Sequence, residues 1–174
     1  MPVFRYAGIP TTIVAEARQS MRSPQYGHPA HLEMATGYGP CRHCLRTFRV
    51  GEEERLLFTY QPIQEPGGLP APGPVFVHAG ECDRYDGPEF PPDLAGLPLV
   101  VEGFRIGGTL VKQERVAAES PEVVVARVLG TKGVAYAHLR NAEAGCFMAR
   151  VERWSIDGRS TPSLHQAPRG ADTR

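Results

Sequence analysis

Four residues in the middle of the chain have the types and spacing of metal ligands. Cys41 and Cys44 stand three positions apart in GPCRHCLRTF, and His78 and Cys82 stand four positions apart in HAGEC. Together they offer three sulfurs and one imidazole, which is a complete tetrahedral ligand set for Zn²⁺. The set is functional only if the fold joins its two halves, because a long segment separates them. Zinc is the cofactor that this pattern indicates.

Two other interpretations of the same cysteines stay open. If Cys41 begins a short helix, the helix N-terminus and the positive potential of Arg42, His43 and Arg46 would lower its pKa, as in thiol-redox proteins. Alternatively, the four side chains lie far apart in the folded protein and form no site. Cysteine is among the most frequently buried residue types, and His78 would then be a core histidine at the end of a strand.

A second group of reactive side chains lies in a predicted hairpin, formed by VAYAHLR and CFMARVERW around the turn NAEAG. If the turn centres on Glu143, Arg140 lies opposite Cys146 and His138 lies opposite Met148. Such a strand face is either a solvated surface or the floor of a pocket. In the pocket, Arg140 would bind an anion and His138 would handle a proton.

The elements that position these residues predict a single α+β domain over residues 1–157. The chain has 174 residues, of which 41% are hydrophobic and 22% charged, a globular balance. Predicted strands are connected mostly as hairpins in an antiparallel or mixed sheet. Two helices are predicted: one through IVAEARQSM, capped by Thr11 or Thr12, and one from Ser120 to Leu129, ending at Gly130. Residues 158–174 read as a polar, flexible tail.

Several segments lack a regular pattern. SPQYGHPAHLEMATGYGP reads as a long surface connection, and residues 61–74 are too rich in Pro and Gly for a helix or strand. Residues 45–50 are expected to form one helical turn.

Charge and hydrophobicity limit the partners. The formal net charge is zero, so no whole-molecule field attracts nucleic acid or an anionic membrane. No signal peptide and no membrane-length apolar run is visible, which places the chain in the cytoplasm, where thiols stay reduced. Neither nucleic acid nor a membrane is an expected partner, a small-molecule ligand stays open as one, and the sequence predicts no oligomeric state.

Four motifs together resemble a known family. PCRHCL, GEEERLLFTYQP, GPVFVHAGEC and AYAHLRNAEAGCFMARVER, spread over about residues 38 to 153, are similar to the bacterial family catalogued as domain of unknown function 1203. The resemblance implies a small cytoplasmic domain and supplies no reaction. The family's recurring features fall here on Cys41, Arg42, Cys44, Gly73, Pro74, His78, Cys82, Arg140, Asn141, Gly145 and Cys146.

These polar and reactive types favour a small enzyme that acts on an anionic molecule through a Cys/His/Arg site. The catalytic set would be Cys44, His78, Arg140 and Cys146, and the substrate-binding set would be Arg42, His138 and Asn141. The alternatives are a zinc-stabilised binding or structural module and a thiol-redox protein. The proposed chemistry depends on the fold bringing three pieces into a common cleft: the loop with Cys41 and Cys44, the strand end with His78, and the last hairpin.

Overall fold

Nine strands and two α-helices form the regular structure of residues 3–37 and 39–155, which are the residues that the computed structural model describes. In chain order they are β1 (Val3–Ala7), α1 (Thr11–Ser20), β2 (His31–Met34), β3 (Glu54–Tyr60), β4 (Gly73–His78), β5 (Asp86–Gly87), β6 (Leu99–Phe104), β7 (Leu110–Arg115), α2 (Pro121–Leu129), β8 (Tyr136–Asn141) and β9 (Phe147–Trp154). Each of the strand pairs in this part of the chain is antiparallel. The predicted single α+β domain is confirmed, and its sheets are antiparallel rather than mixed.

The larger sheet has six strands in the order β5-β1-β9-β8-β6-β7, and α2 packs against β6, β7 and β8. The buried side chains of Val128 and Leu129 on α2 belong to the same core cluster as Leu139 on β8. The helix has its predicted bounds. Pro121 fits the first turn, because an N–H group at that position has no hydrogen-bond partner within the helix. Gly130 directly follows the last helical residue.

The smaller sheet has three strands in the order β2-β3-β4, and it forms a second core with α1. Val14 on α1 packs in this cluster with Leu56 on β3 and Val77 on β4. Phe147 of the larger sheet belongs to the same cluster, so the two sheets share this core. Cys41 and Cys44 also lie in it.

The N-terminal third differs from the prediction in two places. Pro10, rather than Thr11 or Thr12, occupies the N-cap of α1, and the hydroxyl of Thr11 lies 3.1 Å from Nε2 of His43 instead. The expected surface connection after α1 contains β2, which pairs with β3. Most of β2 is exposed, so its sequence lacks the apolar alternation that would have revealed a strand.

The expected helical turn at residues 45–50 is wrong. Pro40 and Thr47 form an isolated antiparallel bridge, so this segment reverses on itself. Leu45 adopts a φ of 59°, in the left-handed region, where a right-handed helical turn cannot continue.

The register of the last hairpin is also wrong, because β8 and β9 contain a bulge between Leu139 and Arg140. His138 pairs with Arg150 rather than Met148, and Arg140 pairs with Phe147 rather than Cys146. The irregularity leaves Met148 in the core beneath α2, and it places Phe147 on the face of His138 and Arg140.

The predicted tail at residues 158–174 lies outside the described residues. Neither α1 nor α2, the helices of the described ranges, combines the length and the apolar composition needed to cross a membrane.

Candidate metal centre

Cys41 and Cys44 lie in a tight loop that is closed by its own backbone. The amide of Cys41 donates a hydrogen bond to the carbonyl of Arg46 at 2.8 Å, and the amide of Leu45 donates to the carbonyl of Cys41 at 2.8 Å. The left-handed backbone of Leu45 allows the chain to reverse directly after the second cysteine. Both thiols consequently contribute to one cluster.

Backbone hydrogen bonds join this loop to the end of β4, where His78 lies. The amide of Arg42 donates to the carbonyl of Phe76 at 2.8 Å, and the amide of His78 donates to Sγ of Cys41 at 3.3 Å. Cys82 follows four residues after His78, and its Sγ lies 3.9 Å from Sγ of Cys41. The two halves that the sequence spacing suggested therefore meet in space.

The four candidate ligands form one compact cluster. The ligand atoms of Cys41, Cys44, His78 and Cys82 all lie within 4.8 Å of one another. Nδ1 of His78 is 3.5 Å from Sγ of Cys44. Three of the residues are buried and Cys82 is half-buried. Because soft thiolates and imidazole suit zinc and related metals, this cluster could hold a metal ion.

Two further side chains contact the sulfur of Cys82. Nη2 of Arg18, on α1, donates to Sγ at 3.3 Å, while Nε of the same guanidinium donates to the carbonyl of His78 at 3.0 Å. Nδ1 of His43 lies 3.3 Å from the same sulfur. Hydrogen bonds from a cation favour the thiolate over the thiol. Arg18 therefore places positive charge beside a cluster that becomes anionic when its thiols ionise.

The titrating groups of the cluster influence one another. Hydrogen bonds with Cys41 and then Cys44 lower the pKa of Cys82, whereas hydrogen bonds with Cys44 and Cys82 raise the pKa of Cys41. The pKa of His78 is raised to about 10, first by its hydrogen bond with Cys44 and then by that with Cys82. A thiolate at Cys82 is thus surrounded by groups that hold protons. A bound cation would displace these protons.

The far side of the His78 ring is held by a carboxylate. Nε2 lies 3.2 Å from Oε2 of Glu53, and the ring of Phe48 packs at a centroid distance of 4.5 Å. The amide of Arg49 donates to Glu53 at 2.8 Å, and this bond is the largest cause that lowers the pKa of Glu53. An ionised carboxylate on one imidazole nitrogen fixes the ring so that the other nitrogen faces the ligand position.

The connection between β1 and α1 closes over the cysteine loop. The amide of Ile9 donates to the carbonyl of Arg42 at 2.7 Å. A Cβ atom added at Gly8 would lie 2.1 Å from the carbonyl oxygen of His43, which is far inside van der Waals contact. Only glycine therefore allows this approach without a shift of the loop.

The predicted residues Arg42 and Cys146 contact each other outside the cluster. The buried guanidinium of Arg42 donates from Nη2 to Sγ of Cys146 at 3.0 Å and from Nε to the carbonyl of Phe147 at 2.7 Å. It also donates to the carbonyl of Pro40. Arg42 thus bridges the cysteine loop and the last hairpin.

Arg140 and Asn141 line a different space, a cavity of about 410 Å³. Arg140 donates from Nε to Glu102 at 2.6 Å and from Nη1 to the carbonyl of Gly145 at 2.8 Å. The side-chain oxygen of Asn141 accepts hydrogen bonds from the amides of Glu143 and Ala144, which shapes the turn before β9.

His138 lines another cavity, of about 330 Å³. The Pro/Gly-rich connection contributes to both cavities: Pro62 and Glu65 line the one at His138, while Ile63 and Leu69 line the one at Arg140. The seven residues of the predicted enzyme site are thus distributed among the metal-ligand cluster, the Arg42 bridge and two cavities.

Sequence reasoning did not find Arg18 or Glu53. Glu53 is one of three consecutive glutamates in GEEER, and nothing in that run indicates which one faces His78. Arg18 is separated by 64 positions from the sulfur that it contacts, and no spacing rule links them. For His43, by contrast, the position between the two cysteines indicates that it lies near the cluster.

Comparison with known families places this geometry in context. The family described as "Protein of unknown function (DUF1203)" matches residues 38–153, a segment that contains all four candidate ligands. Searches of curated proteins and of solved structures found no match. Because the matched segment covers more than half of the 174 residues, the chain belongs to the DUF1203 family of proteins of unknown function.

Proposed function

We propose that the chain is a zinc-stabilised module in which Cys41, Cys44, His78 and Cys82 bind one structural Zn²⁺. The observation that carries the proposal is that the four ligand atoms lie within 4.8 Å of one another. The geometry supports this function better than the small enzyme that the sequence favoured, because the residues assigned to the enzyme occupy several separate places.

The separations agree with a tetrahedral zinc site. With Zn–S bonds of about 2.3 Å and Zn–N bonds of about 2.0–2.1 Å, tetrahedral ligands lie about 3.8 Å apart for two sulfurs and about 3.6 Å apart for sulfur and nitrogen. The distance between the sulfurs of Cys41 and Cys82 is 3.9 Å, and that between Cys44 and His78 is 3.5 Å. Zinc binding thus requires little rearrangement at these pairs.

The ligand number favours a structural role over a catalytic one. Four protein ligands complete the tetrahedron, whereas catalytic zinc keeps one position open for water or substrate. The ligands belong to two segments, the loop of Cys41 and Cys44 and the end of β4 with Cys82. The ion would hold these segments together within the second core. A reducing compartment such as the cytoplasm suits it, because the thiols must stay unoxidised to bind metal.

Metal analysis tests the proposal directly. Protein purified without chelators, or refolded with one equivalent of Zn²⁺, is expected to contain one zinc per chain. The variants Cys41→Ser and Cys82→Ser are expected to lose it. Cys146→Ser is the matched control, because Cys146 contacts Arg42 rather than the cluster, and it should keep the metal. Substitution with Co²⁺ should give the intense visible bands of a tetrahedral thiolate site. Absence of bound metal, or equal loss in Cys146→Ser, contradicts the proposal.

A Cys–His nucleophilic pair is the second candidate, and one distance favours it. Sγ of Cys44 and Nδ1 of His78 are 3.5 Å apart, within the reach that such a pair requires in a free enzyme. In that case, metal-free protein would react with iodoacetamide preferentially at Cys44, and His78→Gln would abolish the preference. Reaction at Cys82 first, since it is the most exposed thiol of the cluster, would exclude this candidate.

The thiol-redox alternative makes its own prediction. It requires a reversible bond between Cys41 and Cys44, both of which are buried. Mass spectrometry after mild oxidation of the zinc-loaded protein separates the hypotheses. A zinc centre protects these thiols until a chelator is added, whereas a redox pair forms the disulfide without any chelator.

A further inference from the structure

His138 is a buried polar residue whose side chain has no bonding partner within the described ranges. Its exposed fraction is 0%, and neither Nδ1 nor Nε2 makes a hydrogen bond there. The ring instead contacts Phe104, Tyr136 and Phe147 at centroid distances of 4.9, 5.3 and 5.2 Å. Buried polar groups are almost always paired, so an unpaired imidazole needs an explanation.

The cavity beside His138 supplies a place for the missing partner. It has a volume of about 330 Å³, the size of a small-molecule site. Phe147 and the polar residues Tyr60 and Gln64 also line it. A few polar groups converging on a partly apolar cavity are typical of a ligand site.

Two guanidinium groups line the same cavity, and they differ in how they are neutralised. Arg150 lies 2.6 Å from Glu152 and 3.8 Å from Glu65, and it stacks on the ring of Tyr136. The positive charge of Arg150 is therefore largely compensated by these neighbours.

Arg84 is less fully compensated. Its Nε donates to the carbonyl of Gly8 at 3.0 Å, and its Nη1 is 3.7 Å from Asp86. The Asp86 carboxylate, however, already accepts hydrogen bonds on both oxygens from Arg5. Arg84 thus brings positive charge to a cavity that also contains an unpaired imidazole.

We propose that this cavity binds a small organic anion, with Arg84 binding its carboxylate or phosphate and His138 hydrogen-bonding to a neighbouring hydroxyl. This inference is independent of the proposed zinc centre, whose ligands do not line the cavity. Burial first, and then Arg150 and Arg140, lower the pKa of His138, so the ring is neutral. A neutral imidazole offers one donor and one acceptor, which matches a hydroxyl that can both accept and donate.

NMR titration of the zinc-loaded protein tests the site with defined probes. The ring resonances of His138 are followed while malate or succinate is added, two dicarboxylates that differ by one hydroxyl. Glycerol 3-phosphate and propyl phosphate, which has the same carbon chain without the hydroxyls, form the corresponding phosphate pair. We expect saturable shifts for malate or glycerol 3-phosphate, with weaker binding of the partner that lacks the adjacent hydroxyl. The pair that responds identifies the anionic group.

Variants assign the roles of the two residues. Arg84→Gln is expected to weaken binding of the responding probe about tenfold or more, because a charge-assisted bond is lost. His138→Phe should remove the preference for the hydroxyl. Arg127→Gln is the control, since Arg127 pairs with Glu114 and Glu119 on the exposed side of α2. Zinc content, measured in every sample, distinguishes failure of this site from failure of the metal centre.

The inference is overturned if none of the four probes shifts the His138 resonances saturably. It is also overturned if Arg84→Gln binds the responding probe as tightly as Arg127→Gln does. The same holds if His138→Phe, followed by the backbone amide resonances around the cavity, keeps the wild-type preference for the hydroxyl-bearing probe of the responding pair. Unchanged binding by Arg84→Gln cannot be attributed to misfolding, because a misfolded variant would not bind the probe.

Discussion

Glu53 holds Nε2 of His78 at 3.2 Å, on the side of the ring away from Cys44. This contact fixes the orientation of the imidazole and leaves Nδ1 facing the three sulfurs. In known zinc sites such carboxylate contacts orient the histidine and raise its basicity. The same relationship is expected to tune the metal affinity of this cluster.

The first prediction concerns this carboxylate. Glu53→Ala is expected to weaken zinc binding by about 10- to 100-fold, because the His78 ring loses its orienting partner. Glu53→Gln should lie between this variant and the wild type, since an amide oxygen still accepts the hydrogen bond. Competition with a chromophoric chelator measures the affinity. Glu52→Ala is the control, because Glu52 is exposed and pairs only loosely with Arg49 at 3.4 Å. Equal effects of the two alanine variants would refute the assignment.

The second prediction concerns Arg18 on α1, which contacts both His78 and Cys82. Arg18→Met keeps the length of the side chain but loses the hydrogen bonds to the His78 carbonyl and the Cys82 sulfur. The zinc-loaded protein is expected to lose about 1–3 kcal/mol in the free energy of unfolding, as for other bonds to charged groups. Arg22→Met, at an exposed position just after α1, serves as the reference. Urea unfolding in excess zinc measures both, and no difference between them would count against the role of Arg18.

The third prediction is a pH dependence that arises from His138. The pKa of this buried ring is lowered well below 6.5 in the folded state, chiefly by desolvation. Well above pH 6.5 the ring is neutral in both the folded and unfolded states, so it adds no pH dependence. Below pH 6.5 His138 becomes protonated in the unfolded chain but stays neutral in the folded protein. Wild-type stability therefore falls as the pH falls, by at most about 1.4 kcal/mol per pH unit.

His138→Phe removes this titration and an unpaired polar group together. We expect the free energy of unfolding of the variant to be higher than that of the wild type by about 1–3 kcal/mol at pH 7.5, and by more at pH 5.5. Urea unfolding of both proteins at the two pH values, with zinc present and no organic anion, measures the difference. Protonation of the metal ligands affects both proteins and cancels. An advantage that stays constant between the two pH values would show that His138 is not the group that titrates.

The fourth prediction concerns the close approach of the N-terminal segment to the cysteine loop. Gly8→Ala would force a methyl group to within 2.1 Å of the His43 carbonyl oxygen, so the loop must move. We expect a loss of about 3 kcal/mol or more in stability, together with weaker zinc binding. In Gly87→Ala the new methyl would meet its nearest atoms, those of Tyr85, at 3.9 Å, which is ordinary contact. That variant should lose less than about 1 kcal/mol; similar losses in thermal and urea unfolding would contradict the steric explanation.

The metal-ligand cluster could be predicted from sequence because its chemistry is carried by residue types at short spacing. Two cysteines three apart and a His/Cys pair four apart are recognisable without knowledge of the fold. The α2 helix was predicted for the same reason, since Pro121 and Gly130 are local signals of its ends. In both cases each signal lies in one short segment, whereas the contact between the two pairs of ligands depends on the fold.

What the sequence did not reveal depends on contacts across the fold. The bulge at Leu139 and Arg140 changes the register of β8 and β9, and a count from the turn cannot anticipate it. Strand β2 is stabilised by pairing with β3 rather than by an apolar pattern of its own. The separation of Arg140 and His138 into different cavities depends on the path of residues 61–74, which no periodicity describes.

Strand β1 lies between β5 and β9 in the larger sheet. A recombinant fragment cut at the start of the family match, residue 38, would lack this strand and would leave the backbone of β9 with an open edge, a site for aggregation. It would also lack the Ile9 amide that caps the Arg42 carbonyl. The smallest piece suitable for expression is therefore longer than the stretch by which the family is recognised, and its N-terminal boundary belongs ahead of β1.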